Sequence, residues 1–202
     1  MCIICISPKG IKQPSSDLIK TMFERNPHGA GYMVARNNTV EIHKGFMTLR
    51  DLQRQLAAEN FTTDDVVVYH FRYSTQAGVT PGMTHPFPLS SDLALMSELD
   101  LTCKCGVAHN GIIPMTTVHG ATRFSDTALF VANYMPHLVR SLSDLRKPAV
   151  VTMLEELTHS RLAILDKTGF VTTAGHFVTD DDGLLFSNRT YQRFALEGWR
   201  KA

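Results

Sequence analysis

The order of strand-like and helix-like segments restricts the fold of this chain more than any other feature of its sequence. Apolar runs typical of buried strands occur at 2–7 and 65–74, and such a run returns near the end of the chain at 161–166. Helical spacing of apolar residues lies between them, at 125–135 and 146–157. Because strands gather early and late instead of alternating with helices, a doubly wound parallel sheet is disfavoured. The sequence predicts an α+β fold of mainly antiparallel sheet.

Shorter signals subdivide the chain. Residues 15–25 and 48–59 carry helical apolar stripes, and the first of these segments opens with a pair of serines that can cap a helix. The Asn-Asn pair at 37–38 predicts a hairpin turn, and residues 166–169 predict a turn between two late strands. Residues 75–90 are expected to form a long loop containing glycine and proline, and loops of that length in a compact domain often carry function.

Composition limits the class of protein. The length of 202 residues fits a single domain, 1–202, and a hydrophobic content of 44% is typical of a globular chain. The formal net charge of +1, from 20 basic and 19 acidic side chains, provides no electrostatic basis for binding nucleic acid or an anionic membrane. No apolar run is long enough to span a membrane, and the N-terminus lacks the features of a secretory signal, so we expect a cytoplasmic protein.

The four cysteines form two close pairs, C-I-I-C at 2–5 and C-K-C at 103–105. Without a secretory signal, disulfides are not expected. The spacing is wrong for most zinc knuckles, and both pairs lie in apolar, strand-like segments. We therefore expect Cys5, Cys103 and Cys105 to be buried strand residues, because free cysteine is among the most buried residue types.

Cys2 has a second interpretation, as a nucleophile. Removal of Met1 would leave the thiol beside a free α-amino group with a pKa of about 8. An amine at that position can act as the general base for its own side chain. The simpler alternative is an ordinary strand residue, since many cytosolic proteins begin Met-Cys.

Two polar motifs surround the beginning of the long loop. H-F-R-Y-S-T at 70–75 ends a strand, where Arg72 is well placed to bind a carboxylate through two hydrogen bonds. T-H-P-F at 84–87 places His85 inside the loop. The alternatives are a surface arginine paired with a nearby carboxylate and a histidine that belongs to a turn before proline.

Two further motifs follow. A-H-N-G at 108–111 presents the side-chain amide of Asn110 beside the backbone N–H of Gly111, which are the donors that an oxyanion hole requires. Asp126 opens a helix after Ser125 and can accept a substrate ammonium. The alternatives are an ordinary hairpin turn and a helix cap. Together, a nucleophile, a carboxylate clamp, an oxyanion pair and an ammonium acceptor define a site for a free amino acid such as glutamine.

The order of these motifs resembles class II glutamine amidotransferases, which are N-terminal nucleophile hydrolases. The late segments R-L-A-I-L-D at 161–166 and F-S-N-R-T-Y at 186–191 also resemble the closing strands of that family. The likeness is greatest to small stand-alone members seen in phages and bacteria, and larger relatives include glutaminase domains of glucosamine-phosphate synthase and of the phosphoribosyl-pyrophosphate amidotransferase. The matching segments span most of the chain: Cys2, N-P-H-G-A-G at 26–31, H-F-R-Y-S-T at 70–75, T-H-P-F at 84–87, A-H-N-G at 108–111 and S-D-T at 125–127.

The resemblance implies a four-layer αββα sandwich and a division of roles. Cys2 is then the nucleophile with its α-amine as base, and Asn110 with the Gly111 N–H forms the oxyanion hole. Arg72 binds the α-carboxylate of glutamine and Asp126 its α-ammonium. The resemblance implies a glycine loop at 26–31 close to the N-terminus, and two residues that line the pocket: Thr75 and His85.

Three positions depart from the family pattern. Ile3 stands where many members have glycine, and His28 where the related loop usually has aspartate. Gln76-Ala77 replaces a glycine-containing turn. The nucleophile, the carboxylate clamp and the oxyanion pair are retained.

The implied reaction proceeds through a glutamyl thioester on Cys2 and needs no metal or organic cofactor. Since family members pass their ammonia to a synthase, we expect a partner that consumes it, or a homo-oligomer built around such a partner. Two other functions fit parts of the same sequence. One is an N-terminal nucleophile hydrolase of another amide, and the other is a catalytically silent module that binds a metabolite or a partner.

Overall fold

Two antiparallel sheets form the framework of the computed structural model, which describes residues 1–74, 79–116 and 123–192. The first sheet has seven strands and the second has four. The strands in chain order are β1 (Ile3–Ser7), β2 (Ala30–Arg36), β3 (Thr39–Phe46), β4 (Val67–Phe71), β5 (Phe87–Pro88), β6 (Asp100–Cys103), β7 (Cys105–Asn110), β8 (Arg161–Asp166), β9 (Val171–Ala174), β10 (Val178–Thr179) and β11 (Leu185–Phe186).

The first sheet has the order β10-β11-β1-β4-β2-β3-β6, and the second has the order β5-β7-β8-β9. All the strand pairs in both sheets are antiparallel among the described residues. The helices are α1 (Ser16–Arg25), α2 (Leu49–Glu59), α3 (Asp126–Asn133), α4 (Met135–Leu138) and α5 (Pro148–Thr158). The α+β prediction with mainly antiparallel sheets is therefore confirmed. No helix in the described ranges combines the length and apolarity needed to cross a bilayer.

Side-chain caps explain where several helices begin. The Ser15 hydroxyl accepts a hydrogen bond from the Leu18 N–H at 3.2 Å, as the sequence predicts for the helix at 15–25. Ser125 accepts from the Ala128 N–H at 3.1 Å and so begins α3 one residue later. These caps satisfy backbone donors that the first turn of a helix leaves unpaired.

The apolar residues separate into three clusters. One joins α1 and α2 to the first sheet through Met22, Phe23 and Leu52 among others. A second joins α3 and α5 to the second sheet. The third lies between the sheets, where residues of β1, β2, β3 and β4 meet residues of β7 and β8, including Ile4 and Ala108. The sheets therefore face one another across an apolar layer.

Two apolar runs divide between the sheets. The segment 101–111 is continuous in sequence, but β6 ends at Cys103 in the first sheet and β7 begins at Cys105 in the second. The run that includes residues 170–179 divides in the same way between β9 and β10. The pattern of the sequence predicts a single extended segment in each case, because both halves are apolar and only packing decides which sheet each half joins.

Residues 79–90 have more structure than the predicted loop. Pro81–Met83 forms a 3-10 turn, and β5 pairs with β7. The Lys44 ammonium fixes this segment to the residues that follow it. It donates to the carbonyl of Gly82 at 2.9 Å and to that of Met96 at 2.7 Å. Its ammonium lies 4.1 Å from the centre of the Phe87 ring. Burial lowers the pKa of Lys44 to about 7.

The cysteines outside position 2 follow the prediction in two cases of three. Cys5 and Cys105 are buried in different clusters. Cys103 is only half-buried, because β6 is an edge strand of the first sheet, so the expectation of a buried residue is wrong there. Within the described segments, no three His, Cys, Asp or Glu side chains are grouped so that they could hold a metal ion.

Candidate active site

Strand alternation directs three of the predicted site residues into the space between the sheets. Successive side chains of a strand point to opposite faces, so residues two apart share a face. Cys2 shares the face of Ile4, and Asn110 shares the face of Ala108, and both Ile4 and Ala108 lie in the layer between the sheets. Arg72 shares the face of His70, whose ring contacts the backbone of β7. We call Cys2, Arg72, Asn110 and Asp126 the Cys2 site.

Cys2 lies immediately before β1 and is half-buried. Its sulfur accepts from the Tyr73 N–H at 3.3 Å, and its carbonyl accepts from Asn188 Nδ2 at 2.7 Å. Burial raises the pKa of the Cys2 thiol, while the Tyr73 amide, the terminal ammonium and the Arg72 guanidinium lower it. Met1 is 64% exposed. The thiol is held in place but is predominantly protonated at neutral pH.

Arg72 follows β4 and is only 6% exposed. Its backbone is fixed on both sides, since its N–H donates to the Gly29 carbonyl at 2.8 Å and its carbonyl accepts from the His28 N–H at 3.1 Å. Burial lowers the pKa of Arg72, and the charges of Cys2 and Asp126 raise it. The alternative of a surface arginine is therefore wrong, and the guanidinium lies within electrostatic reach of the thiol and of the Asp126 carboxylate.

Asp126 is the first residue of α3, where the helix dipole favours a negative charge. One carboxylate oxygen accepts from the Ile113 N–H at 2.8 Å, and the other from the Thr127 N–H at 2.8 Å. These two bonds fix the carboxylate and leave further lone pairs on both oxygens. Asp126 thus holds its carboxylate in a fixed orientation at the start of α3.

Asn110 ends β7 and is 1% exposed. Its Nδ2 lies 2.8 Å from the Ser187 hydroxyl, which also accepts from the Ile4 N–H at 2.9 Å. Asn110 Oδ1 is buried and has no partner among the described residues. The strand after β7 begins at Arg161, so the alternative of an ordinary hairpin turn at Asn110 is wrong.

Gly111 has a φ of +156° and lies against Ser160. A Cβ at position 111 would come within 2.4 Å of the Ser160 Cβ and 3.2 Å of His109 Nε2. Glycine is therefore needed here for close approach, and its N–H follows directly after Asn110.

The remaining predicted residues have different positions. Thr75, as well as Gln76-Ala77, lies outside the described residues. His85 is buried, and its Nδ1 lies 3.1 Å from the His109 carbonyl, so its ring belongs to the layer between the sheets. Gly31 packs closely against the backbone of His85, since a Cβ at position 31 would meet the His85 carbonyl oxygen at 2.4 Å.

Three buried histidines, His70, His85 and His109, form what we call the histidine cluster. The ring centres of His70 and His85 are 4.2 Å apart, and His70 Nε2 donates to the His109 carbonyl at 3.0 Å. His109 contacts the hydroxyls of Thr127 at 2.8 Å and Ser160 at 2.6 Å. Burial lowers the pKa of all three imidazoles, to about 3 for His70. The cluster is therefore neutral at physiological pH.

Sequence reasoning missed the contacts of Ser187 and Asn188, and it named His28 only as a departure from the family pattern. Ser187 bridges β1 and Asn110, and Asn188 binds the Cys2 carbonyl. His28 accepts from the Ser74 N–H at 2.9 Å and packs on the Tyr73 ring at 5.0 Å between centroids. The first two lie in the segment 186–191, which the resemblance identified only as closing strands.

Comparison with known proteins adds no assignment. No protein-family model matches this chain, and no curated protein matches it in sequence. The interpretation of the Cys2 site therefore depends on its geometry and on the motifs of the sequence.

Proposed function

We propose that this protein is a glutaminase of the class II glutamine amidotransferase type, with Cys2 as its nucleophile after removal of Met1. The proposal includes the finer fold, a four-layer αββα sandwich of the N-terminal nucleophile hydrolase kind. The three apolar clusters support it, because they place helices against the outer face of each sheet.

One observation carries the proposal. The buried Arg72 guanidinium lies within electrostatic reach of both the Cys2 sulfur and the Asp126 carboxylate. A free amino acid carries a carboxylate and an ammonium, so a fixed cation and a fixed anion beside a thiol match that class of substrate. A peptide or an acylated small molecule lacks one or both of these charges, which favours glutamine over another amide.

The raised pKa of Cys2 explains why the reaction requires a base. Burial keeps the thiol protonated, and only the thiolate is an effective nucleophile. With Met1 removed, the α-amine of Cys2 accepts the thiol proton, and the sulfur attacks the side-chain carboxamide carbon of glutamine. The amine then delivers that proton to the departing ammonia, leaving a glutamyl thioester.

Water completes the cycle. The α-amine takes a proton from water as the hydroxide attacks the thioester, and the Cys2 sulfur leaves and recovers the proton. The net reaction is glutamine plus water to glutamate plus ammonia. In both steps the negative oxygen of the tetrahedral intermediate is stabilised by the Asn110 amide and the Gly111 N–H, and each such donor contributes about 3 kcal/mol.

The first experiment is an intact-mass measurement on protein with no added N-terminal residues, before and after exposure to a diazo-ketone analogue of glutamine. We expect loss of methionine and one adduct, with no adduct in Cys2→Ala and a normal adduct in Cys5→Ala. Processed protein without an adduct would contradict glutamine as the substrate. Retained methionine would contradict the catalytic proposal and favour a binding module.

We further propose that a partner synthase consumes the ammonia and that the complex is cytoplasmic. The purified chain alone is then expected to yield glutamate and ammonia but no aminated product. Formation of a final aminated product by this chain alone would contradict the need for a partner.

A further inference from the structure

We infer that Ser187 is a positioning residue that orients the Asn110 side-chain amide, with Oδ1 toward the serine and Nδ2 toward the reacting carbonyl. The catalytic meaning of this orientation rests on the proposed function. The orientation itself is a property of the resting protein and is tested separately.

The argument begins with the hydrogen bonds of Ser187. When Nδ2 faces the serine, its hydroxyl oxygen accepts both from Asn110 and from the Ile4 N–H. The hydroxyl proton then has no acceptor among the described residues, and Asn110 Oδ1 is buried without a partner. A buried polar group without a partner costs about 1–3 kcal/mol, so this arrangement leaves two costs uncompensated.

Rotation of the amide by 180° gives both the Ser187 proton and Oδ1 a partner, and it leaves the Nδ2 donors as the one unpaired group. The two ends of an asparagine amide have nearly the same shape, so the rotation leaves the packing unchanged. The Ser187 hydroxyl then donates to Oδ1 across the same 2.8 Å and still accepts from the Ile4 N–H. Only Nδ2 remains without a partner, and it occupies the former position of Oδ1.

The place of Ser187 in the fold explains how it can hold one orientation. Its N–H donates to the Ile4 carbonyl at 3.0 Å, while its hydroxyl accepts from the Ile4 N–H. Ser187 is therefore fixed to β1 by two hydrogen bonds, two residues from Cys2. Its hydroxyl proton takes part in neither of these bonds. In the rotated amide, Asn110 Oδ1 is the acceptor within hydrogen-bond distance of that proton.

The orientation decides whether Asn110 can assist the reaction. An amide nitrogen is a donor and stabilises an oxyanion, whereas an amide oxygen at the same place repels it. A donor held by Ser187 needs no reorientation when the tetrahedral intermediate forms.

A neutron crystal structure of the wild-type protein tests the orientation without reference to activity. Neutrons distinguish nitrogen from oxygen and locate deuterium. We expect deuterium on the Ser187 hydroxyl directed at Asn110 Oδ1. Deuterium atoms of Nδ2 directed at Ser187 would overturn the inference, whatever the reaction of the enzyme.

Steady-state kinetics test the positioning role. We expect Ser187→Ala to lower kcat for glutamine by about 10- to 100-fold with KM nearly unchanged, because the loss falls on the transition state. In an Asn110→Ala background the same change is expected to add less than about twofold. Independent, multiplying effects in the double variant would show a merely structural serine and overturn the inference.

Ser7→Ala serves as the matched control, because Ser7 is a fully buried serine at the other end of β1. Its hydroxyl contacts the carbonyls of Ile11 and Lys12, both at 3.3 Å. We expect this variant to retain wild-type kcat, and a loss as large as that of Ser187→Ala would overturn the positioning role. If wild-type protein releases no ammonia from glutamine, the proposed function fails, while the neutron result still decides the orientation.

Discussion

The Cys2 site and the histidine cluster lie next to each other between the same two sheets, but they hold polar groups in opposite ways. His70 and His109 are buried, and burial keeps them neutral at physiological pH. Two residues beyond His70, Arg72 is also nearly buried, yet it stays charged, and the Asp126 carboxylate favours that charged form. Neighbouring positions therefore differ in charge, because burial outweighs every other influence on the weakly basic imidazoles, whereas a guanidinium is too basic to lose its proton.

The difference indicates a division between support and chemistry. A buried neutral imidazole with hydrogen-bond partners fixes the distance between β4 and β7 without a strong field. A charged pair beside a half-buried thiol is costly unless a ligand or a reaction uses it. We therefore expect substitutions in the Cys2 site to change activity more than stability, and changes in the histidine cluster to do the reverse.

The largest expected effect is on the nucleophile. Cys2→Ala is expected to lower ammonia release from glutamine by at least about 1000-fold, because no other group can form the thioester. Cys5→Ala is the matched control, a buried cysteine inside β1, and it should retain activity with a loss of about 1 kcal/mol in the free energy of unfolding. Coupled glutamate detection measures the first and urea unfolding the second. Activity surviving in Cys2→Ala would refute the mechanism.

Lowering the pH is expected to destabilise the fold, because it favours protonation of the histidine cluster. Because burial lowers the folded pKa of these histidines, their neutral forms stabilise the fold above the unfolded value of about 6.5. That contribution is lost as pH falls from about 6.5 toward the folded pKa, at about 1.4 kcal/mol per pH unit for each histidine. Urea unfolding at pH 7, 6 and 5 measures it.

A control variant separates the cluster from the other histidines. His137 is exposed and lies outside the cluster, so His137→Gln should leave the pH dependence of unfolding unchanged. A stability that stays constant between pH 7 and 5 in the wild type would show that the cluster does not resist protonation. The lowered pKa values of Asp65 and Asp166 affect only more acidic conditions, because their ordinary value is already 3.8.

The next largest effect is expected at Arg72, the proposed carboxylate clamp. Arg72→Lys is expected to lower kcat/KM for glutamine by about 10- to 100-fold, since lysine cannot form the planar pair of hydrogen bonds with a carboxylate. Arg146→Lys is the control, because Arg146 pairs with Asp166 at 2.9 Å on another part of the molecule. An equal loss in both variants, or none in Arg72→Lys, would argue against the clamp.

The smallest expected effect concerns the close contact at Gly111. Gly111→Ala should reduce the free energy of unfolding by about 1–3 kcal/mol, because the added Cβ meets Ser160 at 2.4 Å. Ser160→Gly removes the opposing Cβ but also the hydroxyl that contacts His109, so the single Ser160→Gly variant is the reference. We expect Gly111→Ala to cost clearly less in the Ser160→Gly background than in the wild type, as measured by thermal unfolding. An equal cost in both backgrounds would show that the contact with Ser160 is not the cause.

The features that could be predicted from the sequence are those that depend on residues close together in the chain. Asn37 and Asn38 adopt φ values of 50° and 60°, as the Asn-Asn hairpin signal requires. The cap at Ser15 forms with a residue three positions away. Such features depend on neighbours in the chain, so the sequence contains nearly all the information they need.

The features that could not be predicted from the sequence depend on tertiary packing. Lys104 separates β6 from β7, and the hydrophobic pattern of the sequence does not indicate that these two strands belong to different sheets. Cys103 is half-buried only because β6 lies at an edge. The contact of Ser187 with Asn110 joins residues 77 positions apart, and periodicity carries no signal for it.

The sequence by itself therefore determined the α+β class, most of the helices and strands, the hairpin turn and the candidates Cys2, Arg72, Asn110 and Asp126. Only the tertiary structure decided that Ser187 contacts Asn110 and that Asn188 contacts Cys2, although these residues lie far apart in the sequence. The physical reason is that backbone conformation and burial period are local properties. The relative positions of side chains from distant strands depend instead on how the sheets pair and pack.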